Sequence, residues 1–239
     1  MLAILPGTER GQSDSDHHTS LHSFSFGTYL NHTRMGYSVL QALNAVSVKP
    51  GVSLGEKSHV NMEILTYVTQ GELVHTDSLG TEQIVPAGDF QLMASGAGIE
   101  HSESNGSETE MLEFLEMWII PNQINIRPGY QQRSIEPSSN FQLVASHMPR
   151  DEAMFLNQES EIYRFHLDQN RYFYLARAAD HHKAYVHVIR GKLDLCDGDS
   201  TISISAGDGV MCSDITRLEF IKTDDAIAEG MLFVLPGFY

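Results

Sequence analysis

The chain has 239 residues, a formal net charge of -16, twelve histidines and two cysteines. That length suits two small domains or one large β domain, either able to bury a working core. The acidic balance, without any basic stripe, weighs against nucleic acid as a partner, and no run approaches the ~20 apolar residues of a membrane helix.

The chain opens MLAILPGTERGQSDSDHH. It turns polar after five residues and lacks a basic region followed by an apolar core, so it does not read as a signal peptide. These residues are expected to form an edge strand or a loose arm. Cys196 and Cys212 read as small buried thiols in a reducing compartment, which makes a cytoplasmic location the expectation. His17, His18 and His22 offer ligands to a stray metal ion, but a solvated arm is the expectation for them.

Helical periodicity is scarce. Short β-rich runs recur between Gly, Asn, Asp and Pro. They are Met62 to Val68, Glu72 to His75, Glu82 to Val85, Phe90 to Met93 and Met111 to Ile120 in the first half. The second half has Tyr185 to Ile189, Lys192 to Cys196, Thr201 to Ile204 and Met231 to Leu235. Regularly spaced short strands imply an all-β sandwich or barrel.

The runs also repeat. YVTQGELVHTDSLGTEQIVPAGDFQLM (67–93) and HVIRGKLDLCDGDSTISISAGDGVMC (187–212) share one order. In each, a strand meets a glycine (Gly71, Gly191), two further strands flank a polar turn, and Ala-Gly-Asp closes the unit at 87–89 and 206–208. A duplicated β domain follows. The first copy is expected over 1–120 and the second over 141–239, joined by the Pro-, Gly-, Asn- and Gln-rich connector 121–140.

Among the histidines, His59 and His101 stand out. His59 is read as opening the strand that runs to Gly71, and His101 and Glu103 follow the Gly88-Asp89 turn. Residues i and i+2 of a strand share a face. If the strand 59–68 neighbours 99–104, two imidazoles and a carboxylate meet, which is the ligand set of a facial triad suited to Fe(II) and similar divalent ions. Two His and one Glu within this span also occur by chance.

Three segments carry a family resemblance: HSFSFGTYLNHTRMGYSVLQALN (22–44), GEKSHVNMEILTYVTQGELVHTDSLG (55–80) and PAGDFQLMASGAGIEHSESN (86–105). They resemble the pirins, over most of residues 22–120, while the second half resembles that family in outline. The resemblance implies two tandem cupin (jelly-roll-like) β-barrels with few short helices. It also implies a metal held by a His-x-His pair and a His-x-Glu pair, which places His59, His101 and Glu103 as ligands and Lys57 where the fourth, a histidine, is expected. An ammonium has no lone pair and repels a cation. Either Lys57 swings outward and water completes a two-His, one-Glu site, or its ammonium takes the metal's place against Glu103. Glu63 fits a slot of the general cupin pattern, with a ring N–H of a ligand as its expected partner.

The resemblance further implies a divalent-metal dioxygenase of quercetin-like flavonols, with Glu103 also taking the substrate's hydroxyl proton. Met62, Phe90, Met93 and Met117 are then pocket-lining candidates, core packing being their other expected job. The alternatives are a metal- or redox-sensing regulatory protein that docks to a protein partner, and a metal-free degenerate cupin. In the second copy His181 and His182 precede Gly191, with no matching His or Glu after Gly207-Asp208, and they read as a polar strand entry. Asn31-His32-Thr33 and Asn105-Gly106-Ser107 match a glycosylation pattern that matters only on secretion.

Overall fold

The computed structural model describes residues 1–136, 138, 140–174 and 182–237; of these, the side chain of residue 182 is not described. In chain order the strands are β1 (Leu2–Leu5), β2 (Gly11–Asp14), β3 (His18–His22), β4 (Leu40–Val48), β5 (Ser53–His59) and β6 (Glu63–Gln70). Then follow β7 (Glu72–Asp77), β8 (Glu82–Pro86), β9 (Asp89–Ala94), β10 (Ile99–Asn105), β11 (Leu112–Ile119) and β12 (Gly129–Ser134). The second half contributes β13 (Phe141–Ser146), β14 (Met154–Phe155), β15 (Glu161–Leu167), β16 (Arg171–Tyr174) and β17 (His182–Arg190). Last come β18 (Lys192–Cys196), β19 (Thr201–Ser205), β20 (Gly209–Ser213), β21 (Arg217–Lys222) and β22 (Ala228–Pro236). Among the described residues the sole helical element is a turn of 3-10 helix at Gly7–Glu9, so no helix could cross a membrane.

The strands form two cupin barrels of matching design. In the first, the sheet β12-β9-β6-β11-β4-β3-β2 faces β5-β10-β7-β8. In the second, β1-β20-β17-β22-β15-β13-β14 faces β16-β21-β18-β19. The repeat seen in the sequence corresponds to β6 to β9 and to β17 to β20. Its glycines do the same work in both copies. Gly71 and Gly191 have φ of 75° and 77°, and a Cβ on either would sit 2.5 Å from a carbonyl oxygen, of Met111 or of Ile227. Glycine alone tolerates both conditions without strain.

Two strands change partners. β1 pairs antiparallel with β20, Leu2 opposite Cys212, and so belongs to the second barrel. β12 lies inside the stretch expected as connector, yet it pairs with β9 of the first barrel, Tyr130 opposite Met93. The barrels share one apolar core that brings Leu5, Phe24, Tyr67 and Phe90 together with Val144, Tyr185 and Phe233. Phe90 and Met117 are in that core and Met93 packs with Ile64 and Ile99, so of the two jobs expected for these residues they do the packing one. Beside the shared core, Tyr67 donates to Glu229 (2.7 Å), whose carboxylate also pairs with buried Arg164 (3.2 Å).

The second barrel is filled by its own cluster, which includes Leu193, Leu195, Leu218, Phe220 and Cys212. Cys196 is half-buried at the end of β18, with its sulfur receiving the Gly198 N–H.

Candidate metal centre

The four-stranded sheet of the first barrel positions the site. β10 is its inner strand, flanked by β5 and β7. Burial along β10 alternates, so Ile99, His101, Glu103 and Asn105 face the barrel interior. On the β5 side, His101 stands opposite Lys57 and Ile99 opposite His59. On the β7 side, Glu103 stands opposite His75 and His101 opposite Asp77. Residues directly opposite one another share a face, so Lys57, His59, His75, Asp77, His101 and Glu103 are all directed into one space.

This corrects the expected route to the site. His59 does not open the strand that leads to Gly71. It closes β5, and a turn through Asn61 (φ 52°) separates it from β6, which lies in the opposite sheet. The neighbours of β10 are therefore β5 and β7.

His101 and Glu103 are 3 % and 2 % exposed and His75 is fully buried. Among the described residues, the His, Cys, Asp and Glu group whose candidate ligand atoms all lie within 4.8 Å of one another is His75, His101 and Glu103. His59 stands beside this group, its ring centroid 5.0 Å from that of His101 and 4.9 Å from the Trp118 ring, which it meets edge-on. His75 had no partner at a telling spacing in the sequence. The long-range pairing of β7 with β10 brings it in.

The polar atoms here are poorly matched by the protein. His59 Nε2, His75 Nδ1, both ring nitrogens of His101 and Glu103 Oε2 are buried without a hydrogen-bond partner. Buried polar atoms are almost always paired, so a cluster of unpaired lone-pair donors on imidazole and carboxylate fits a divalent ion. Electrostatics agrees. Burial, with His59, His75 and Lys57 adding to it, lowers the pKa of His101 to about 3, which keeps the ring neutral and its lone pair available. Burial likewise lowers His59 and His75. Burial raises Glu103 above the usual carboxylate range, against the opposing pull of Lys57.

Surrounding groups hold these side chains in place. Gln91, reaching across from β9, donates to Glu103 Oε1 (2.9 Å), and Tyr130 on β12 donates to Gln91 Oε1 (3.2 Å). The Tyr130 ring also lies 4.8 Å from that of His75. Asp77 Oδ2 is 3.3 Å from His75 Nε2, while its Oδ1 accepts the backbone N–H groups of Leu79 and Thr81. The Lys57 ammonium is 3.9 Å from Glu103 Oε2 and its side chain is 36 % exposed. Glu63 does not meet a ligand imidazole. Its Oε1 accepts two hydrogen bonds from Asn157, at 2.9 and 2.8 Å, and so ties the two halves together.

A pocket of about 440 Å³ opens against the β5 side, lined by Lys57, His59, Trp118, Phe26, His22 and Glu116 among others. His22, expected on a solvated arm, is 2 % exposed because β3 pairs with β4. Its Nδ1 donates to Asn44 Oδ1 (2.8 Å), and Asn44 Nδ2 donates to Glu116 Oε2 (3.1 Å). The pocket thus has an aromatic wall and a polar one.

The second barrel has no such set among the described residues. Gly71 and Gly191 align His75 with Leu195. Glu103, opposite His75, then matches Phe220, opposite Leu195, and His101 matches Leu218. All three are buried apolar residues. His181 lies outside the described residues, as does the side chain of His182.

Comparison with known proteins agrees with this architecture. Residues 7–119 match the family model described as Pirin, and residues 143–235 match the one described as Quercetinase C-terminal cupin domain. The chain is 34 % identical to a quercetin 2,3-dioxygenase of Escherichia coli K12, over 99 % of each sequence. It superposes on the crystal structure of YhhW from Escherichia coli with a TM-score of 0.93, at 34 % identity, covering 100 % of this chain and 99 % of that one. A second structure, of that bacterial pirin in complex with nickel(II), gives a TM-score of 0.91 at 34 % identity over 99 % of both chains. With both family models matched in order along one chain, and a full-length relative at this identity, the protein belongs to the pirin family.

Proposed function

We propose that this pirin is a divalent-metal-dependent dioxygenase of quercetin-like flavonols, with the metal centre in the first barrel. The observation that carries the reading is the group of buried, unpartnered imidazole and carboxylate atoms on β5, β7 and β10, of which His59 also lines the 440 Å³ pocket. The quercetin 2,3-dioxygenase name of the Escherichia coli relative supports the substrate class. Nickel(II) in the related crystal structure supports a divalent ion, and Fe(II) is the first candidate by ligand type.

His59, His101 and Glu103 are the proposed ligands. When bound, a divalent ion supplies Lewis acidity and a place for flavonol and O2 to meet. The protein does the rest. Trp118 and Phe26 offer flat apolar surfaces to an aromatic substrate, and Asn44 and Glu116 offer partners to its hydroxyls. Glu103, with its pKa raised by burial, is suited to take the proton of the hydroxyl nearest the site, while Gln91 keeps its carboxylate oriented.

A metal-free reading is favoured by one contact, that of Lys57 with Glu103 at 3.9 Å. The two separate in one assay. Protein loaded with Fe(II) or Ni(II) is expected to deplete quercetin absorbance when O2 is present and to leave it unchanged under nitrogen. His101→Ala is expected to lose both metal and turnover. A metal-loaded wild type that leaves quercetin untouched would instead favour a regulatory binding protein.

A further inference from the structure

We infer that His75, held by Asp77, is a metal ligand in this chain and supplies the imidazole that Lys57 cannot. The inference rests on the metal-site reading above and deepens it. The four-stranded sheet explains how the exchange works. β10 carries His101 and Glu103 between two neighbours, and a ligand lost from β5 can be replaced from β7 without moving β10. Lys57 and Asp77 stand opposite His101 from either side, and His75 stands directly opposite Glu103.

Four further observations converge on His75. It is fully buried, where a lone imidazole costs free energy unless its nitrogens are engaged. Its Nε2 faces Asp77 Oδ2 at 3.3 Å, leaving Nδ1 without a partner. A carboxylate on one ring nitrogen is the usual support for an imidazole that ligates through the other. The Asp77 carboxylate is itself fixed by two backbone N–H groups, and the Tyr130 ring limits rotation of the imidazole. Finally, the candidate ligand atoms of His75, His101 and Glu103 already lie within 4.8 Å of one another. Lys57 stays at the mouth of the site, 36 % exposed, where its stem can swing into the pocket when a cation enters.

Equilibrium dialysis of the full chain against Ni(II) tests this, alongside His75→Ala, the gentler His75→Gln, and Asp77→Asn. Folding of each variant is checked by its thermal transition. The wild type is expected to bind one ion. Both His75 variants are expected to bind it at least 100-fold more weakly, and Asp77→Asn about 10- to 100-fold more weakly, as a positioning residue should. With Cu(II) as a spectroscopic probe, nitrogen hyperfine structure is expected to lose one coupled nitrogen in His75→Gln. Wild-type affinity and an unchanged nitrogen count in a folded His75 variant would overturn the inference alone, since the site would still bind metal. A wild type that binds no Ni(II) would overturn the metal reading with it. If neither His75 variant folds, a Ni(II)-soaked crystal of the unaltered chain decides, by an ion bonded or not bonded to His75 Nδ1.

Discussion

Lys57 and His75 show most clearly what one residue can and cannot reveal. The i, i+2 spacing of His101 and Glu103 is a local fact, and a strand places both on one face, so this half of the site is legible in the sequence. His75 is a single histidine in ELVHTD, and Gln91 and Tyr130 carry no spacing signal either. Their places depend on which strands pair across the barrel. Lys57 is legible as a departure from the family pattern, though the sequence alone leaves its direction open. In the structure its ammonium is the one cation set against Glu103 among the described residues, at 3.9 Å. A nearby positive charge opposes binding of a second one. Lys57→Met removes the charge without adding a ligand, and Ni(II) affinity is expected to rise by about tenfold, the scale that groups around a metal site command. An unchanged or weakened affinity, read by the same dialysis, would mean that the amine does not compete.

The repeat is the legible feature at the level of elements. Each strand expected in the duplicated units appears within a few residues, from β6 to β9 and from β17 to β20. The glycine that ends the first strand of each unit was visible because nothing else suits its backbone. Gly71→Ala would combine a left-handed φ of 75° with a Cβ 2.5 Å from the Met111 carbonyl oxygen. The cost is expected to be about 1–3 kcal/mol or more, read as a lower midpoint in urea. A midpoint equal to that of the wild type would contradict this account of the turn. Less legible were β5, whose burial pattern is mostly exposed, and β3, which looked like part of a polar arm. Both owe their strand state to partners distant in sequence, β10 and β4. Reading His59 as the start of β6 failed for a similar reason, because the turn at Asn61 has no strong local signature.

Across the whole molecule, duplication was legible and exchange was not. β1 has four residues, and its pairing with β20 joins positions more than two hundred residues apart. β12 crosses back over a stretch whose composition reads as linker. These exchanges and the shared core make the two barrels one packed unit. They also let the copies diverge in use. The second barrel fills its interior with Leu195, Leu218 and Phe220, where the first has His75, His101 and Glu103. One copy is an apolar core, and the other keeps the polar interior in which we propose a cation binds. The account therefore predicts a single ion per chain. X-ray diffraction from crystals soaked in Ni(II), with data collected at the nickel absorption edge, measures this directly. One anomalous peak in the first barrel, bonded to His101 and Glu103, is the expected result. No peak there, with the Lys57 ammonium seated against Glu103, or a peak in the second barrel instead, would contradict it.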